Sequence, residues 1–211
     1  MSMSVVIYNQ SWKELSTVKL NEDLFSEDRV NSTLVHEFVL MQLSNARKSN
    51  AHSKDRGEVS YSNRKLYKQK GTGSARVGSM KSPLRKQGGA VFGPRNTVNH
   101  TKTMNKKARR IATLSSVIMK VSANEVVWLE SFVSKAPSTK TAVATLSALP
   151  LNGKKNLIVL PTTDDTAYRS FRNIPDTKII TVNYVNPYDI LTHHNIVFVG
   201  DSLELFQQNI A

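Results

Sequence analysis

Between Glu58 and Glu125 the chain carries no aspartate or glutamate: sixty-six consecutive residues, Val59 to Asn124, without a side-chain carboxylate. The window 47–110 holds 18 Lys or Arg against two acids. The remainder holds 11 bases and 14 acids, so the net charge of +13 sits in one segment rather than over the whole molecule. A block of like charge repels itself and buries no core, so alone it is expected to be extended or disordered. It orders when a polyanion neutralises it, and nucleic acid is the commonest such partner.

Composition sets the outer bounds. A chain of 211 residues suggests one domain with an appended segment. Without the basic stretch roughly 140–150 residues remain, enough for one proper core. There is no cysteine, which excludes a disulfide scaffold and thiolate metal sites. No apolar run is long enough to span a bilayer, and the start, MSMSVVIYNQ, has neither a basic n-region before an apolar stretch nor an Arg-rich transit pattern. The expectation is a soluble cytoplasmic protein, with no membrane, cofactor, metal or small-molecule substrate.

The flanks read as a mixed body. Ser4–Tyr8 is a β-branched apolar run and predicts a strand, with Val18–Leu20 returning beside it after turn residues Asn9 to Ser11. A helix follows over about Ser32–Arg47, with Asn31, Ser32 or Thr33 as cap; its wide apolar face predicts burial against a sheet. From Ser49 to His100 the periodicity stops, and six of the nine glycines fall between Gly71 and Gly93. Loops this long are functional or disordered. Helical pattern resumes near Lys106, with Ile111, Leu114, Ile118 and Val121 in one stripe and Lys106, Arg109 and Arg110 on another face. Strands are expected at Glu125–Leu129, Asn156–Leu160, Lys178–Val182 and Asn195–Val199. Helices are expected at Thr139–Leu149 (ended by Pro150), Asp165–Arg172, Pro187–Leu191 and Ser202–Gln208. Continuous apolar strands alternating with helices predict an α/β fold: a mostly parallel sheet covered by helices on both faces. Residues 1–48 and 101–211 would form the globular body, and 49–100 a long extended basic loop inserted after the first helix.

Enzymatic motifs fail on inspection. Gly71-Thr72-Gly73 lacks the third glycine of a dinucleotide fingerprint, since Arg76 stands there, and no Gly-Lys-Ser/Thr completes a phosphate loop. The five histidines lack the spacing and partners of a metal site. Thr162-Thr163-Asp164-Asp165 follows a strand, where open sheets bind ligands, but caps and turns account for it more simply. No Gly-x-Ser-x-Gly elbow occurs. What remains is a cation every few residues along a glycine-rich stretch, with Tyr61, Tyr67 and Phe92 available to stack on unpaired bases. The plainer alternative is a solvated basic loop that binds nothing specific.

The run Tyr67-Lys68-Gln69-Lys70-Gly71-Thr72-Gly73-Ser74-Ala75-Arg76-Val77-Gly78-Ser79-Met80-Lys81-Ser82-Pro83, followed by Gly88-Gly89-Ala90-Val91-Phe92-Gly93-Pro94-Arg95, resembles the signature of the L-four family of large-subunit ribosomal proteins. Asn105-Lys106-Lys107, Asn173-Ile174-Pro175 and Asn186-Pro187-Tyr188-Asp189-Ile190-Leu191 resemble that family too, at bacterial or organellar length. The family often has Trp-Arg at Tyr67-Lys68 and Arg at Ser74. The resemblance implies a non-enzymatic, ribosome-associated protein: an α/β body on the large subunit, with a loop threading into ribosomal RNA. It places Tyr67, Lys68, Gln69, Lys70 and Gly71 at the wall of the peptide exit tunnel, near the nascent peptide and neighbouring large-subunit proteins.

The expected RNA-binding set is therefore Arg47, Lys48, Lys54, Arg56, Arg64, Lys65, Tyr67, Lys68, Gln69, Lys70, Gly71, Gly73, Arg76, Lys81, Arg85, Lys86, Arg95, Lys102, Lys106, Lys107, Arg109 and Arg110. Two rival functions stay open. One is a free RNA-binding regulator that represses a messenger RNA. The other is a nucleic-acid enzyme, which would need paired carboxylates that the basic stretch lacks.

Overall fold

The computed structural model describes residues 3–134, 136–148 and 155–210. Ser4–Tyr8 forms β1 and Glu14–Lys19 forms β2. The Asn9 carboxamide shapes the turn between them, accepting from the Ser11 and Lys13 N–H groups at 3.0 and 2.9 Å. The returning strand starts four residues earlier than the apolar Val18–Leu20 suggested. It lies at the sheet edge, so most of its residues are exposed and carry no apolar signal.

The order then runs α1 (Ser32–Ala46), α2 (Lys106–Ser122), β3 (Val126–Leu129), α3 (Thr139–Ser147), β4 (Asn156–Leu160), α4 (Asp165–Phe171), β5 (Thr177–Thr181), α5 (Pro187–Thr192), β6 (Asn195–Val199) and α6 (Ser202–Ile210). The sheet order is β2-β1-β3-β6-β4-β5. β1 and β2 are antiparallel and every other pairing is parallel. This is the α/β class expected from the sequence. The Pro150 stop proposed for α3 lies outside the described residues.

Side-chain alternation along the central strands divides the core in two. Val126, Trp128, Leu157, Val159, Ile196 and Phe198 face Leu114, Val117, Ile118 and Val121 of α2, with Ile190 of α5 and Leu203 and Phe206 of α6. Their neighbours Val127, Leu129, Ile158, Leu160, Val197 and Val199 face Ala142 of α3 and Ala167 and Phe171 of α4. Both faces of the sheet are thus covered, which is why β3, β4 and β6 read as unbroken apolar runs.

The helix ends follow their sequence. Asn31 caps α1 by accepting from Leu34 N–H at 3.1 Å. Ser138 caps α3 and Asp164 caps α4. In α5 Pro187 takes the first turn, where its missing N–H costs nothing. Asp189 is buried there; its carboxylate accepts from Lys178 Nζ at 2.6 Å and from Asn186 Nδ2 at 2.8 Å. The Asn186–Leu191 element is therefore explained by capping and by an ion pair between buried Asp189 and exposed Lys178.

Two expectations about helices are corrected. α1 is not well buried: only Val35 is fully covered, while Leu40 and Leu43 are exposed. Its apolar residues are spread around the cylinder rather than gathered on one side, so no single face can cover them all. In α2 the stripe is Leu114, Val117, Ile118 and Val121, and Ile111 is exposed.

The chain divides into two compact units, Met1–Leu43 with Thr103–Ala211, and Ser44–Lys102. The first contains the sheet and its helices. No helix among the described residues is long and apolar enough to cross a membrane.

Candidate nucleic-acid interface

Residues 47–105 form neither helix nor strand, yet they are not featureless. Their two limbs are bonded to each other in successive rungs. At the root Lys102 N–H donates to Asn45 Oδ1 at 2.7 Å, and Ser44 Oγ donates to the His100 carbonyl at 2.6 Å. Further out Ser53 N–H meets the Pro94 carbonyl at 3.0 Å and Ala90 N–H meets the Lys54 carbonyl at 2.9 Å. Beyond these, Tyr61 OH donates to Gln87 Oε1 at 2.7 Å and Ser79 Oγ to the Ser62 carbonyl at 3.1 Å. Leu66 N–H then bonds the Gly78 carbonyl at 3.1 Å, and Tyr67 OH bonds the Ala75 carbonyl. The end turn runs through Gly71 and Gly73 at φ +80° and +66°, backbone states that side chains disfavour. A second turn, Ser79–Gly89, folds to one side and closes with Gly89 N–H on the Lys81 carbonyl at 3.1 Å.

This double-limbed loop has no apolar core. Among Ser44–Lys102 only Gly89 is buried. Hydrogen bonds, turns and one ionic clasp give it shape, and most of its cationic side chains stay exposed. The expected self-repulsion is moderated because most of the cations point outward into water.

The clasp uses the two acids of the window. Arg95 donates to Asp55 at 3.0 Å and to Glu58 at 2.8 Å, and His52 lies 3.3 Å from Glu58. The Asp55 N–H also bonds the Glu58 carboxylate at 2.9 Å. That backbone bond, together with the Arg95 guanidinium and nearby His52, holds the Glu58 carboxyl below its ordinary value of 4.5. In the sequence Arg95 reads as one more RNA-facing cation, and Asp55 and Glu58 only as two charges in the count. No periodicity links positions so far apart in a loop, so the pairing left no sequence signal.

The remaining expected residues fall into three groups. Arg47, Lys48, Lys54, Arg56, Arg64, Lys68, Lys70, Arg76, Lys86 and Lys102 are exposed, while Lys81 and Arg85 are half-buried; none has a carboxylate within ion-pair distance among the described residues. A second group closes the tip from inside. Lys65 Nζ donates to Gln69 Oε1 at 2.6 Å and to the Val77 carbonyl at 3.1 Å, and Tyr67 is held by its hydroxyl. The third group lies in the first unit. Lys106, Lys107, Arg109 and Arg110 are exposed on the first turns of α2, and Lys106, Arg109 and Arg110 rim a cavity of about 500 Å³ floored by Phe38, Val182 and Phe206.

Enzymatic constellations do not assemble. No cluster of His, Asp or Glu suited to a metal ion occurs among the described residues. His193 lies against the Asp189 carbonyl at 2.7 Å, and Asp164 and Asp165 serve as cap and as partner to Arg169.

The sequence model of the Ribosomal protein L4/L1 family matches residues 18–209, covering the loop and the sheet from the end of β2 onward. The chain belongs to the Ribosomal protein L4/L1 family. It is 39% identical over 207 residues to large ribosomal subunit protein uL4 of Halothermothrix orenii, covering 98% of each chain. It is 37% identical over 208 residues to the protein of the same name from Clostridium novyi, covering 99% of each. With that of Flavobacterium psychrophilum it shares 38% over 210 residues, covering 99% of this chain and 100% of the other. The family resemblance carried by the loop signature therefore extends well beyond the loop, over nearly all of this L4/L1 member and of each of these relatives.

Proposed function

We propose that this L4/L1 member is a structural, non-enzymatic constituent of the large ribosomal subunit. It binds large-subunit RNA through the loop, whose tip, Tyr67 to Gly71, lies at the wall of the peptide exit tunnel beside the nascent chain. Neighbouring large-subunit proteins complete its surroundings, and the molecule works in the cytoplasm. The name shared by its relatives supports the ribosomal assignment.

One observation carries the RNA reading. Of the 18 Lys and Arg in 47–110, only Arg95 meets a carboxylate among the described residues, and the two acids of that window are the ones it meets. The other cations are supplied without internal neutralisation, which suits a partner bringing dense negative charge. Folded RNA crowds phosphates together, and a thin glycine-rich loop can pass between its helices while interposed Lys and Arg reduce their repulsion. Such contacts position RNA segments rather than read bases.

Co-sedimentation at moderate salt tests this. The chain should travel with the large subunit, and Lys68 and Lys70 should cross-link to RNA or to the nascent peptide. A protein that stays in the light fractions would instead fit a free regulator of messenger RNA.

A further inference from the structure

Of the three aromatic side chains in the loop, two are tied down. Tyr61 bonds Gln87 and Tyr67 bonds Ala75, whereas Phe92 stands in the open: its exposure is 103%. Its backbone stands at φ +53°, in the left-handed region that bulky residues avoid. Both flanks are pinned. At Gly89 a Cβ would fall 2.2 Å from Arg56 N, and at Gly93 a Cβ would fall 1.9 Å from Ser53 Oγ, so these positions press against the opposite limb. Ala90 N–H and the Pro94 carbonyl are bonded to that limb as well. An apolar ring is thus held out in water, on a disfavoured backbone, by a tightly fastened tab. Strain of this kind, kept in place by its surroundings, points to use.

A cleft of about 570 Å³ lies beside the ring, lined by Asp55, Arg56, Pro83, Val91, Phe92 and Arg95 among others. Within it Arg95 is already committed, to Asp55 in the lining and to Glu58 behind it, while Arg56 is exposed and has no ion-pair partner among the described residues. The cleft therefore offers one flat aromatic face, apolar walls and one uncommitted cation, Arg56.

We infer that this cleft receives a single unstacked nucleotide of the bound RNA: its base lies on the Phe92 ring and its phosphate meets Arg56. The inference rests on the RNA reading above and adds to it a site away from the loop tip. RNA is the occupant rather than an apolar protein segment because the free charge beside the ring is positive and Lys54 adds another on the same limb. A ring face accepts any base, so the site grips without choosing sequence.

The test compares Phe92→Leu, Phe92→Gly and Phe92→Trp in the full chain. Affinity is measured for protein-free large-subunit RNA from the cells that encode it, over a range of salt. Circular dichroism and melting are recorded for each free protein. Phe92→Leu and Phe92→Gly should weaken binding by roughly five- to a hundredfold, and Phe92→Trp should retain it. The salt slope should not change, because no charge is removed. Phe92→Gly should not lower the melting temperature, because it relieves the backbone; it keeps the test valid if Phe92→Leu misfolds. Ring resonances of Phe92 should shift on titrating adenosine monophosphate and not inorganic phosphate. Wild-type affinity in Phe92→Gly overturns the site. If Lys68→Gln and Arg76→Gln still reduce the salt slope in that case, the RNA reading survives without it. If they do not, both fail together. Loss of neighbouring proteins from assembled subunits, with RNA affinity intact, would reassign the ring to a protein contact and also overturn the site.

Discussion

Arg95 shows what a charged residue does once its neighbours are known. Placed among bases it looks like one more phosphate ligand, but in the structure it locks Asp55 and Glu58 beside the Ser53–Pro94 rung and ties the two limbs of the loop together. The Glu58 carboxyl is depressed below 4.5, first by the Asp55 N–H bond and then by Arg95 and His52. A depressed carboxylate stabilises the folded form above its unfolded value, and that contribution is lost as pH falls through the folded value. The clasp should therefore be intact near neutrality and loosen below about pH 4.5, the ordinary value of the group. Hydrogen exchange at the Asp55 and Ala90 amides should accelerate over that range. In Glu58→Gln, exchange should already be faster at neutral pH and show little further acid response. An unchanged profile in that variant would mean that the backbone rungs alone hold the limbs together there.

At the level of elements, α1 and α2 make a useful contrast. Both carry many apolar residues, yet α2 buries one face against the sheet and α1 buries only Val35. Truncating Ile118, fully buried in α2, to Ala should cost about 2–5 kcal/mol, measured by denaturant unfolding. Leu43→Ser on α1 should cost far less than the Ile118 truncation, about 0.5 kcal/mol, since nearly half of that residue is already exposed. At the start of α4, Asp164 accepts from Thr166 N–H at 2.9 Å, and Asp164→Ala should cost about 1 kcal/mol through loss of the cap. These three values, obtained together, separate burial, exposure and capping as sources of stability in the body.

For the whole molecule, the sheet-bearing unit and the loop are different kinds of object: one has two apolar layers, and the other has rungs and no core. Deleting Lys65–Lys86 removes seven cations and leaves the Arg95 clasp and the Ser53–Pro94 rung in place. Circular dichroism and the melting temperature of the body should be nearly unchanged. The slope of log affinity for large-subunit RNA against log salt should fall by roughly five to six, at about 0.7–0.9 for each phosphate no longer neutralised. The parallel sheet was legible in the chain because strands buried on both faces must be apolar throughout, and the acid-free stretch was legible because charge composition needs no coordinates. Two helix caps, Asn31 on α1 and Asp164 on α4, were legible too, being bonds between near neighbours inside stretches that read as caps, whereas Ser138 and Asn186 did not stand out. The exposure of α1, the shift of the α2 stripe and the partner of Arg95 were not legible. Each depends on which surfaces meet across long separations in the chain, and periodicity records only that a face is apolar, not what covers it. Phe92 belongs with these: its identity could be read directly, but its positive φ and bare ring exist only because two distant limbs are fastened on either side of it.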